Sequence, residues 1–431
     1  MNKTSSKLIN LSTLSFGNAN LMKDYFEKEA IYGASNYSPL PVVLEKGEGA
    51  YLWDIDGNKY LDMMSAYSAV SHGHSHPQLV QTLYEQAKRL AISSRAFYTE
   101  PFAGYLEKLS KVSGFEAILP MNTGAEAVET AIKAARRWGY FTKGIEENKA
   151  EIIVADGNFH GRTSTIVGFS SDTEYKKGFG PFGGGFATAD YCSNCSCDTS
   201  NCIKSIDSIK KLINKNTCAV LVEPIQGEGG IIIPRDGWLK QLRDLCSENN
   251  VLMILDEIQS GLGRTGKLFA FQHEDIIPDG LILGKALGGG LIPVSAFLSS
   301  REVMDHFDPG SHGSTFGGNP LAAAVASKAI DLLYEDNLIN NSHDLGLYFL
   351  NELKALDFTF IKEVRGKGLW IGLELSNAPM PAKNICKLLL KEGMLCKETH
   401  ETVIRFAPPL MIQKSEIDWA LEKIKKVFSS L

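Results

Sequence analysis

Four short apolar runs dominate the middle of the chain: EIIVADG (151–157), TCAVLVEPI (217–225), VLMILDE (251–257) and GLILGK (280–285). Runs of this length with few polar interruptions read as strands buried on both faces. Helical segments such as DGWLKQLRDLCSENN lie between some of them, and AILPMNTGAEAVETAIKAARRWGY reads as strand, tight turn and helix. Repeated strand–helix alternation implies an α/β domain around a mainly parallel sheet. Such sheets bind ligands in the crevice beyond the carboxyl ends of their strands. Asp256 and Lys285 fall at two such ends.

A chain of 431 residues, 44% of them apolar, can form two packed units with substantial cores. The expected division is an N-terminal segment with a small hairpin (1–67), a large domain (68–324) and a smaller C-terminal α/β domain (325–431). The hairpin is read from short alternating runs around Asp56-Gly57. Proline suits the start of a helix at PQLVQTLYEQAKRLA. A strand–helix–strand–helix pattern runs from VRGKGLWIGLEL to EIDWALEKIKKVFSS.

The formal charge of -6, with no long basic tract, argues against a nucleic-acid partner. No apolar run is long enough to imply a membrane-spanning helix. The first 23 residues carry three lysines and no acid, but neither the arginines of a transit peptide nor the apolar core of a signal peptide. A cytoplasmic location is expected, with a short organellar targeting segment as the alternative.

Cys192, Cys195, Cys197 and Cys202 crowd into YCSNCSCDTSNC. Thiolates there would suit zinc or an iron–sulfur centre, yet a single C-x-x-C without a second knuckle is an incomplete pattern. A loop with free thiols or a disulfide are the alternatives, and no metal is assigned.

An amine and a carboxylate at the ends of two buried strands suit pyridoxal 5'-phosphate chemistry, which needs such a pair. The amine links reversibly to the aldehyde, and the acid keeps the ring nitrogen protonated. Once freed, the lysine can shuttle a proton. Lysine after a strand is commonly just solvated, but the setting of Lys285 between LILG and ALGGG argues against full exposure. Asp256 could otherwise cap the next segment.

Thr123, Gly124 and Ala125 stand where a turn enters a helix, so unpaired N–H groups can face a phosphate. The threonine hydroxyl could donate a further bond, and an ordinary capped helix is the competing interpretation. Phe159 could stack on the cofactor ring or serve the core, and Gln259 could reach the ring's phenolic oxygen. Arg162 in HGRT and Arg405 in IRFAPP suit carboxylate binding, because the guanidinium fork meets both oxygens. For each, a structural ion pair is the alternative.

The chain resembles the fold-type I pyridoxal-phosphate enzymes of class III, the aminotransferases, and among them those that act on ornithine at its δ-amine. The resemblance runs from about Tyr32 to near the C-terminus, through PMNTGAEAVETA, NFHGRT, VEPIQGEGG, LDEIQSGLGRTGKL, LGKALGGG, HGSTFGGNPLA and IRFAPPL. YGASNYSPLP and MSAYSAV point more sharply to ornithine. The resemblance implies Lys285 as the lysine linked to the cofactor, Asp256 beneath the pyridine nitrogen, Gln259 beside the ring oxygen and Phe159 on the ring. It implies Gly124 and Ala125 as phosphate ligands, with Thr315 reaching the phosphate held mainly by a partner subunit of a homodimer with shared active sites.

For substrates, the resemblance implies that Arg162 binds the α-carboxylate of L-ornithine and then the distal carboxylate of 2-oxoglutarate. Arg405 would bind the keto acid's α-carboxylate, with Glu228 pairing to it while ornithine is bound. Tyr37 would meet ornithine's α-amine and Tyr67 would shape the pocket. The implied products are glutamate 5-semialdehyde, which cyclises to pyrroline-5-carboxylate, and L-glutamate. His160 stands where the family often has tryptophan, so the cofactor wall is less apolar and the imidazole is expected to pack or hydrogen-bond. Acetylornithine, 4-aminobutyrate or another ω-amine is the alternative donor.

Overall fold

Strands β1 (Leu44–Glu48), β2 (Tyr51–Asp54) and β3 (Lys59–Asp62) form an antiparallel meander in the computed structural model. The structure describes residues 19–192 and 199–431, with side chains from 22 to 192 and from 204 onward. Asp54 locks the β2–β3 turn by accepting from Asp56 N (3.0 Å), Asn58 N (2.8 Å) and the Tyr60 hydroxyl (2.7 Å). Gly57 takes the left-handed conformation (φ +82°) that such a turn favours. The expected hairpin is therefore present, extended by β1.

The large sheet contains β4 (Ala117–Met121), β5 (Glu151–Ala155), β6 (Phe186–Ala189), β7 (Thr217–Val222), β8 (Leu252–Asp256), β9 (Gly280–Leu283) and β10 (Ser295–Ser299). Their order is β4-β10-β9-β8-β7-β5-β6. The run from β9 to β6 is parallel, and only β10 lies antiparallel to both neighbours. Every residue of β7, β8, β9 and β10 is buried, which is why these strands read as continuous apolar runs. The helix Gly124–Phe141 lays Ala127, Ala131, Ala134 and Ala135 against one face, where small side chains permit close approach.

The helix Pro320–Glu335 starts with Asn319 accepting from Ala322 N (2.9 Å) and proline in its first turn. It crosses position 324 without a break. Beyond it, β11 (Ile361–Gly366) and β12 (Ile371–Leu375) make a hairpin, followed by the helix Ala382–Lys391. Next come β13 (Met394–Leu395), β14 (Lys397–Thr399), β15 (Val403–Phe406) and the helix Lys414–Ser429. The C-terminal sheet runs β11-β12-β15-β14, while β13 pairs in parallel with β3 and joins the two ends of the chain.

Arg264 ties these regions together. It is fully buried and donates to Leu369 O (2.9 Å), Pro408 O (2.6 Å) and Ser71 Oγ (3.0 Å). Burial pushes its pKa down to about 9.

Among the described residues, no helix is long and apolar enough to cross a membrane, and no cluster of three or more metal-ligating side chains occurs. Cys192 is buried and disulfide-bonded. Cys195 and Cys197 lie outside the described residues, as does the side chain of Cys202.

Candidate active site

Loops leaving the carboxyl ends of β4, β5, β7, β8 and β9 converge at one edge of the large sheet. They carry, in turn, Thr123–Ala125, Phe159–Arg162, Glu223–Glu228, Gln259 and Lys285. Lys285 stands two residues past β9 with φ +45°, a left-handed conformation rare for a side-chain-bearing residue. Such strain persists where the surroundings over-determine it, commonly at functional sites. Burial holds the Lys285 amine below the ordinary lysine pKa, against the opposing pull of Asp256, Glu228 and Glu223. A lysine so placed is more readily neutral, as a nucleophilic amine must be.

Asp256 closes β8 and is almost fully buried. Its Oδ1 accepts from Ile258 N (3.0 Å), and its Oδ2 meets His160 Nδ1 at 2.7 Å. Burial opposes a charged His160, yet the hydrogen bond and charge of Asp256 raise its pKa above the usual value. The bond expected of His160 is thus made to the very carboxylate that the cofactor ring would use. Its Nε2 is buried and unpartnered among the described residues.

Behind this pair lies Glu223, which no local motif singles out. Its Oε1 accepts from Phe159 N (2.9 Å) and its Oε2 from Gly227 N (3.0 Å). One carboxylate therefore fastens the Phe159 loop to the Glu228 loop. Burial raises its pKa to about 7, with Asp256 adding to the rise and His160 opposing it.

At the far end, Thr123 and Glu126 form a capping box: Glu126 N donates to Thr123 Oγ1 (3.2 Å) and Thr123 N to Glu126 Oε2 (2.6 Å). The threonine hydroxyl is occupied in this cap rather than turned to an anion. The amides of Gly124 and Ala125 have no acceptor among the described residues, so both are free to meet an anion. A side chain on Gly124 would press within 2.8 Å of Ile258 Cδ1, which explains the need for glycine there. Thr315 is exposed beside Ser314, whose Oγ accepts from Asn122 Nδ2 (2.8 Å). A cleft of about 570 Å³ opens here, between Thr123 and Phe316.

Two arginines near the site are in different states. Arg405 is buried on β15, with Nη1 2.9 Å from Glu228 Oε1, its guanidinium 4.6 Å from the Tyr67 ring centre and Nε unpartnered among the described residues. Burial would raise the Glu228 pKa, but Arg405 together with Lys285 and Gln259 holds it below the usual carboxylate value. Arg162 is exposed, and no carboxylate among the described residues pairs with it. Tyr67 belongs to a left-handed turn in which Ser65, Ala66, Tyr67 and Ser68 have φ between +45° and +72°. Each such residue costs roughly 1–2 kcal/mol. Asp62 offsets part of this by accepting from Met64 N (2.8 Å) and Ser65 N (2.9 Å). Tyr37 is 74% exposed and lies within electrostatic range of Tyr67.

The donor set fits pyridoxal phosphate: a lysine biased toward neutrality, a fixed carboxylate, two free amides at a helix start, and Gln259 Oε1 buried without a partner among the described residues. Fold and site together define a fold-type I pyridoxal-phosphate enzyme. The chain belongs to the class-III aminotransferase family, which it matches over residues 32–428. It is 54% identical to an ornithine aminotransferase of Macrococcus caseolyticus, over 94% of this chain and 99% of that one. The structure superposes on the ornithine aminotransferase of Toxoplasma gondii with a TM-score of 0.90 at 40% identity, covering 95% of both chains. It also resembles an acetylornithine aminotransferase from Elizabethkingia anophelis: TM-score 0.84 and 44% identity, over 95% of this chain and 99% of that one.

Proposed function

We propose that the chain transfers the δ-amino group of L-ornithine to 2-oxoglutarate, giving glutamate 5-semialdehyde and L-glutamate. The observation that carries this reading is the unequal state of the two arginines: Glu228 occupies Arg405 while Arg162 stays open to carboxylate. Ornithine brings one carboxylate and needs one open arginine. 2-Oxoglutarate brings two and displaces Glu228 from the second. With Arg162 holding the α-carboxylate and Tyr37 the α-amine, ornithine's distal amine points toward Lys285. High identity to ornithine aminotransferases over nearly the whole chain supports the same donor.

Bound pyridoxal phosphate supplies the electron sink that stabilises negative charge at the carbon losing its proton. Gly124 and Ala125 would hold its phosphate, Phe159 would cover the ring, Gln259 would face the ring oxygen and Asp256 would keep the ring nitrogen protonated. Lys285 would be the amine that holds the cofactor and, when free, would take the proton from the δ-carbon of ornithine. His160 fixes Asp256 in its charged orientation.

In the assembly we propose, two copies share active sites. Phe97 (67%), Tyr98 (104%) and Phe316 (56%) stand exposed, and the cleft beside the phosphate end is lined in part by Phe316. A partner subunit covering this face would bring Thr315 to the phosphate of the neighbouring site. A cytoplasmic location completes the reading.

The similarity to an acetylornithine enzyme makes that substrate the main competitor. The experiment that separates them follows cofactor absorbance in half-reactions with ornithine, N-acetylornithine, 4-aminobutyrate and lysine. Ornithine should show the largest kcat/KM. A larger value for another donor overturns the assignment.

A further inference from the structure

Nothing in TEYKK marks out Tyr175. It sits in a short helical turn, Thr173–Lys176, that Asp172 caps by accepting from Glu174 N (2.9 Å). Ser171 stitches this segment to the Phe159–Arg162 loop, since its Oγ accepts from Gly157 N (2.8 Å). The turn therefore has a fixed place relative to Arg162.

The Arg162 guanidinium lies 4.0 Å from the centre of the Tyr175 ring and 5.5 Å from that of Phe159. The two rings meet edge to face, with centroids 6.0 Å apart and planes at 76°. Burial raises the pKa of the Tyr175 hydroxyl, with the Arg162 charge opposing the rise and that of Glu228 adding to it. Arg162 thus rests on a wall of two aromatic faces. A ring face holds a guanidinium by its quadrupole and leaves the in-plane N–H groups free for a carboxylate fork.

We propose that Tyr175 is a positioning residue that keeps Arg162 in place for substrate carboxylates without neutralising it. The inference rests on the proposed function, in which Arg162 binds a carboxylate in both half-reactions and Arg405 in only one. The anchors match those duties. Arg405 is held by an anion that competes with the ligand, whereas Arg162 is held by rings that do not. Arg162 is therefore available at every stage of the cycle.

The test compares Tyr175→Ala, Tyr175→Phe and Arg162→Lys in the cofactor-loaded full-length protein. Loss of a cation–π anchor should raise KM for both ornithine and 2-oxoglutarate roughly three- to tenfold in Tyr175→Ala. With both substrates saturating, kcat should stay within about twofold, because the reacting atoms are untouched. Tyr175→Phe should restore both KM values, since it keeps the ring. Calorimetric binding of glutarate, a dicarboxylate with nothing to transfer, should weaken by the same factor in Tyr175→Ala and recover in Tyr175→Phe. The proposal is overturned if Tyr175→Ala leaves both KM values unchanged, if only kcat falls, or if Tyr175→Phe is as damaging as Tyr175→Ala. Arg162→Lys separates the two levels of the argument. If it raises both KM values while Tyr175→Ala raises neither, only this inference fails. If it raises neither, the assignment of Arg162 fails with it.

Discussion

Glu228 holds Arg405 through one 2.9 Å contact, and the arginine's Nε is buried without a partner among the described residues. A well-satisfied structural ion pair would use the whole guanidinium fork. This half-used pair is suited to opening, with a substrate carboxylate replacing the glutamate and meeting more of the fork. Thr399 ties down the loop that carries Glu228, because its hydroxyl donates to Glu228 O (2.6 Å).

Glu228→Gln removes the competing charge while preserving shape. The KM for 2-oxoglutarate should fall roughly five- to tenfold, about 1 kcal/mol of released competition. Glutamate should gain as a donor relative to ornithine. Steady-state kinetics with both pairs checks this, and an unchanged KM for 2-oxoglutarate would contradict the switch.

Gly227 leaves room for Gln259. A Cβ at position 227 would collide with the Gln259 side-chain amide and stand 3.0 Å from Trp370 Cζ2. Gly227→Ala should displace Gln259 from the cofactor's ring oxygen while leaving the fold intact, because the far end of glutamine can move. The expected result is a shifted visible absorbance of the loaded protein and a lower kcat. Spectrophotometry across pH reads both, and an unaltered spectrum would refute the placement of Gln259.

Glu223 gives a pH dependence whose sign follows from burial. Its folded-state pKa, about 7, stands above the ordinary 4.5. Its contribution to stability is therefore fully present below pH 4.5 and lost as pH rises through about 7. Relative to Glu223→Gln, the native protein should lose up to about 3 kcal/mol of stability between those limits. Denaturant unfolding of the cofactor-free proteins at pH 4.5, 6 and 8 measures the change. A gap between the two that widens in the native protein's favour with rising pH would show the sign to be wrong.

The strands, the helix start at Gly124 and the ends marked by Asp256 and Lys285 were legible because each rests on a local pattern. Continuous apolar runs reported burial on two faces, and NTGAE carried its own cap. The resemblance to class-III enzymes extended this to Arg162, Glu228 and Arg405. What local patterns could not reveal depends on contacts across the chain. His160 meets Asp256 across 96 residues and Glu223 reaches Phe159 across 64, distances over which no periodicity informs. The left-handed turn Ser65–Ser68 lacks the glycine or asparagine that usually announces it. Tyr175 looks like a surface residue until the fold brings Arg162 onto its ring.

Lys285→Ala should abolish turnover, but loss of activity alone does not locate a covalent bond. The direct test is borohydride reduction of the cofactor-loaded, active protein, followed by proteolysis and mass spectrometry of the peptides. The account predicts one phosphopyridoxyl adduct, on Lys285. An adduct at a different lysine, with Lys285 unmodified, would contradict it.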